Sequence, residues 1–144
     1  MPPHFTRILI GFALMAVLCS AAFALGDRPV RKMALLIGFA WAASVLTQLA
    51  TGHLPEPAIA ADVVCALVTL AWAWRGERRW LWGMVGIESC LLLLHALLFT
   101  VGWQATPMEA LANNILTTGA LVLLLIAAVL ARRGRADRAA NPML

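Results

Sequence analysis

Asp62, Glu88 and His95 are the residues of this chain best suited to chemistry, because each is an ionisable group set within a run of apolar residues. Buried carboxylate and imidazole side chains are what intramembrane proton relays and polar solute paths use, and an ionisable residue at mid-membrane costs about 2.5–3.5 kcal/mol on insertion scales. Glu88 and His95 are seven residues apart, so a helix would place them on one face together with Leu91, Leu92 and Phe99. Asp62 would share a face with Cys65 and Thr69, and Asn113 with Thr117. Counting about 1.5 Å per residue from the ends of the apolar runs puts Gln48, Asp62, His95, Asn113 and Asn114 in one outer layer. Glu88 falls beneath it, roughly 12 Å from the opposite interface and close to the bilayer centre. A carboxyl left unpaired there is expected to keep its proton.

Two kinds of role fit such a layer. The first is interhelical glue, in which Asp62 accepts from His95, Gln48 or an Asn amide; such bonds average only about 0.6 kcal/mol in membranes but fix geometry. The second is an outward-opening polar cavity in which Asp62, Glu88 and His95 carry protons or a small solute. A metal site from His95 with His53, Glu56 and Asp62 lacks a ligand spacing such as His-x-x-x-His. Haem or chlorophyll on His95 would rest on one imidazole alone, because a second intramembrane axial histidine is missing. No phosphate loop, nucleophile elbow or H-E-x-x-H occurs, so neither catalysis nor a cofactor is predicted.

The elements that must position these residues follow from apolar continuity. Runs at about 8–25, 33–51, 58–75, 80–103 and 108–131 have the roughly 17–25 residues of spanning helices. The joints carry Gly26-Asp27-Arg28-Pro29, Gly52-His53-Leu54-Pro55-Glu56-Pro57, Arg75-Gly76-Glu77-Arg78-Arg79 and Gln104-Ala105-Thr106-Pro107. Joints this short force antiparallel neighbours, and Pro57 and Pro107 suit the first turns of the third and fifth helices. Arg7, the run Ile8 to Cys19 and Ala22-Phe23-Ala24 imitate a cleavable signal peptide. Cleavage would leave four helices and put all three basic clusters outside, so the first helix is expected to be retained. Ala16/Ser20/Ala24 and Ala34/Gly38/Ala42 form small-residue stripes, expected to be packing seams within the chain rather than dimerisation motifs.

Charge supplies the orientation. Ten of the eleven Lys and Arg residues form three clusters, Arg28/Arg31/Lys32, Arg75/Arg78/Arg79 and Arg132/Arg133/Arg135/Arg138. Each follows an odd-numbered run, so all lie on one side, which the positive-inside rule makes cytoplasmic. Trp72, Trp74, Trp80 and Trp82 bracket the second cluster, and Trp103 ends the fourth run on the other side, as an aromatic belt would. The chain is 62% hydrophobic, 12% charged and has a mean hydropathy of +0.87, which excludes an ordinary soluble domain. Its net charge of +4 sits in turns and a tail, which points to anionic headgroups and away from nucleic acid. Cys19, Cys65 and Cys90 lie in apolar runs without C-x-x-C spacing and read as small core residues.

The run Asp62-Val63-Val64-Cys65-Ala66-Leu67, with Trp72, Arg78-Arg79-Trp80-Leu81-Trp82 and Leu94-His95-Ala96, resembles a loose set of uncharacterised small multi-pass bacterial inner-membrane proteins. The shared pattern is an early-helix Asp, a basic and Trp-rich turn and a late-helix His, over about a third of the chain. The resemblance implies Asp62 and His95 as positions to test and supplies no activity; Glu88 is outside its pattern. The expectation is an all-α bundle of five transmembrane helices over 1–131, N-terminus out, with a short, frayed, basic cytoplasmic tail over 132–144. Its expected role is a non-enzymatic accessory subunit in contact with lipid and with other integral subunits or itself. A channel or proton-coupled transporter is the alternative, and a phage-type holin a further one.

Overall fold

The computed structural model of the chain describes residues 3–51, 55–76, 78–101 and 107–140. Among them the chain forms five helices and no strand: α1 (Pro3–Leu25), α2 (Arg28–Thr51), α3 (Pro55–Trp74), α4 (Trp80–Val101) and α5 (Pro107–Ala140). Each helix packs on its neighbours in sequence, α1 meets α5 to close the ring, and α2 also touches α5 across it. Segments of three helices, Arg28–Thr47, Trp80–Leu97 and Leu111–Ala136, are long and apolar enough to cross a membrane; Ala13–Leu25 and Ile59–Trp74 are shorter apolar stretches.

The joints explain where the helices stop. Gly26 donates to Ala22 O at 2.8 Å, and a Cβ there would fall 2.3 Å from Val30 Cγ1 and 2.6 Å from Ala22 O, so only glycine fits between α1 and α2. Asp27 then opens α2: its carboxylate accepts from Val30 N at 3.4 Å and its carbonyl from Arg31 N at 2.9 Å. Arg28 is therefore the first residue of the helix, not part of a linker, and α2 starts five residues before the apolar run. Gly76 ends the turn after α3 at φ +71°, a left-handed conformation that costs other residues about 1–2 kcal/mol.

The tail expected to fray is helical as far as Ala140. Arg135 supplies one reason: it donates to Gly26 O at 3.0 Å and to Leu25 O, capping the C-terminal carbonyls of α1 from the end of α5. Arg78 reaches Asp27 at 2.7 Å from the α3–α4 joint. These contacts gather the three basic clusters at one end of the bundle. Just inside that end lies the apolar core, where Val30, Met33, Leu81, Met84 and Leu124 are fully buried. Large apolar side chains such as Ile10, Phe39, Leu67, Leu93, Ile115 and Leu130 face outward on every helix. So much exposed apolar surface on all sides suits a lipid environment.

Candidate functional site

The polar residues occupy the half of the bundle away from the basic end. A cavity of about 60 Å³ opens there, and every helix contributes to its lining: Met15 from α1, Ser44 from α2, Asp62 and Cys65 from α3, Glu88 and Leu91 from α4, and Thr117 from α5. That volume corresponds to about two water molecules. Glu88 is 5% exposed, the one charged side chain buried among the described residues. Asp62 and His95 are partly buried, with His95 Nδ1 3.1 Å from Asp62 Oδ2. This contact joins α3 to α4 one layer above Glu88, and Asp62 belongs to both the pair and the cavity.

Most of the expected faces converge. Asp62 with Cys65, Glu88 with Leu91, and Thr117 all reach the cavity, because residues three, four or seven apart stack on one side of a helix. Of the expected donors to Asp62, His95 is in contact with it. Thr69, on the same face two turns below Asp62, is fully buried and donates to Met33 Sδ at 3.8 Å. The layer is narrower than expected, however. Asn114 is exposed and Asn113 half-buried, since adjacent residues on a helix point about 100° apart and cannot both face inward. The side chains of Gln48, His53, Glu56, Phe99 and Arg138 lie outside the described residues.

Ser44 and Trp41 are among the lining residues that apolar continuity does not single out. Ser44 sits within an apolar run and spends its hydroxyl on Ala40 O at 2.9 Å, as serines in helix interiors do. Trp41 lines the cavity from mid-helix, whereas the tryptophans of the expected aromatic belt lie at helix ends. Its position in the i−3 turn from Ser44 could have suggested it. Among the described residues no group of three or more His, Cys, Asp or Glu side chains is placed to hold a metal. Cys19 and Cys65 are buried, Cys90 is exposed, and all three are free thiols.

The basic residues have structural work beyond marking an end. Arg78 pairs with Asp27, Arg135 caps α1, and Lys32 Nζ lies 5.2 Å from the ring centre of Trp72. Arg28, Arg75, Arg79, Arg132 and Arg133 are exposed. Trp74 and Trp82 flank the α3–α4 joint with ring centres 6.5 Å apart. No protein-family model, curated protein or solved structure matches this chain.

Proposed function

We propose that this chain is a small multi-pass protein of a bacterial inner membrane, crossing five times with its N-terminus outside, and that it acts as a non-enzymatic accessory subunit. In this reading the Asp62–Glu88–His95 centre sets the register of the five helices. The observation that carries it is the convergence of all five helices on one cavity large enough for about two waters, with one carboxyl buried beside it and a second in contact with a histidine. A space that small favours packing over the passage of a solute. Polar groups on separate helices that meet only when the bundle is correctly assembled penalise alternative packings, which lack their partners.

The same grouping favours one second reading, a proton path, because protons need only protonatable groups and a few waters. Reconstitution separates the two. Wild-type protein and the variants Asp62→Asn, Glu88→Gln and His95→Ala are placed in proteoliposomes containing a pH-sensitive dye, and thermal unfolding is recorded in parallel. The packing role predicts lower unfolding temperatures and no proton flux from any of the four proteins. Flux from the wild type that the variants abolish with their fold intact would overturn it. Copurification in gentle detergent then tests the accessory role, since a subunit brings its assembly with it.

A further inference from the structure

The two small-residue stripes do not close into a seam. Ala16 and Ser20 of α1 face Gly38 and Ala42 of α2 across a groove of about 440 Å³, and a Cβ built on Gly38 meets no atom within 4 Å. Phe39, 72% exposed, and Leu35, 48% exposed, rise as its wall. The end nearest the basic clusters is formed by Phe23 and Leu35. Arg31 stands there, one helical turn before Leu35 on the same face of α2. Its Nε donates to Phe23 O at 3.0 Å and its guanidinium lies 5.6 Å from the centre of the Phe23 ring. That bond uses one of the five N–H groups of an arginine, and the side chain is exposed. Lys32 turns the other way, onto Trp72 of α3.

We infer that this groove binds an anionic phospholipid, with one acyl chain between α1 and α2 and the headgroup phosphate on Arg31. The slot is apolar along its length and cationic at the mouth, which matches an amphiphile with an apolar chain and an anionic head. Its volume lies within the roughly 300–1,000 Å³ of small-molecule sites. The cation at its mouth favours an anionic occupant over a second copy of this chain, whose own net charge is +4. A guanidinium suits a phosphate because its planar fork donates two parallel bonds, and basic residues at the cytoplasmic ends of helices select anionic lipid.

Trp41 lines the groove and reports on it. The full-length protein in neutral detergent is titrated with phosphatidylglycerol bearing brominated acyl chains, and separately with phosphatidylcholine bearing the same chains. The Trp41 component of fluorescence quenching is the difference between the wild type and Trp41→Phe. Phosphatidylglycerol is expected to quench it at a concentration at least fivefold lower than phosphatidylcholine, and Arg31→Gln to remove that preference. Gly38→Leu fills the groove and should abolish the quenching, with one fewer phosphatidylglycerol retained in native mass spectrometry; Ala16→Leu fills it from the opposite wall if Gly38→Leu does not fold. Asp62→Asn should leave the preference unchanged, which keeps this result separate from the role of the buried centre. Equal quenching by the two lipids in the wild type, or lipid retained after both fillings, overturns the inference. So does a Gly38→Leu variant that converts a dimer to a monomer with unchanged lipid binding.

Discussion

Asp62 and His95 make the contact on which the buried centre most directly depends, at 3.1 Å between α3 and α4. Intramembrane polar contacts average about 0.6 kcal/mol and reach about 1.7 kcal/mol, because alternative states also find partners. A double-mutant cycle of Asp62→Ala and His95→Ala, measured by unfolding in detergent, should give a coupling of about 0.5–1.7 kcal/mol. Coupling near zero would mean that the two side chains are neighbours without energetic consequence. Asp62→Asn should cost less than Asp62→Ala, since the amide keeps an oxygen beside the imidazole. The pair was legible because Asp62 and His95 fall at equal depth on helices joined by a short turn. The exposure of Asn114 was not, since Asn113 and Asn114 share a depth while angular position separates them. The open groove was hidden for a different reason: a stripe of small residues reads the same whether a neighbour fills it or leaves it empty.

At the scale of the elements, Asp27 is the residue whose role spans most structure. It caps α2 through Val30 N and pairs with Arg78 from the next joint on the same end. Loss of a cap costs about 1 kcal/mol, whereas an exposed ion pair is worth about 0–1 kcal/mol. Asp27→Ala should therefore destabilise by about 1–2 kcal/mol, and Asp27→Asn and Arg78→Ala by appreciably less, because Asn caps as well as Asp and each of these two changes removes only the ion pair. Equal losses for all three in thermal or denaturant unfolding would assign the energy to the ion pair. Gly76→Ala offers a second check, with an expected loss of about 1 kcal/mol from its positive φ. The number and order of helices followed from apolar continuity, but their polar ends did not. Continuity stops where hydrocarbon would stop, while the backbone keeps its helical bonds until a cap or a left-handed residue interrupts them. Thus α2 begins at Arg28, held by Asp27, and α5 runs on through the arginines to Ala140, held by Arg135.

At the scale of the whole molecule, the bundle has two unlike halves. Val30, Met33, Leu81, Met84 and Leu124 fill the half next to the arginines, and Asp62, Glu88 and His95 occupy the other. For the proposed membrane protein the asymmetry gives orientation a consequence, because it decides which side of the membrane the buried centre would lie nearer. All three basic clusters sit at one end, and a Lys/Arg excess holds short loops in the cytoplasm. On that rule the ends of α2 and α4 away from the arginines face outward, and the cavity lies toward the outside. A periplasm-active reporter fused after Gln104 should then be active and the same reporter after Leu144 silent, with a cytoplasm-active reporter giving the opposite pattern. Activity after Leu144 and silence after Gln104 would invert the molecule and place the buried centre nearer the cytoplasm. Reporter fusions after Arg75 and Arg28 add force, since five crossings require both to be silent, like Leu144. If the first helix were cleaved as a signal, Arg28 would lie outside and its fusion would be active. The joint outcome at Arg28, Arg75, Gln104 and Leu144 thus fixes the number of crossings together with their direction.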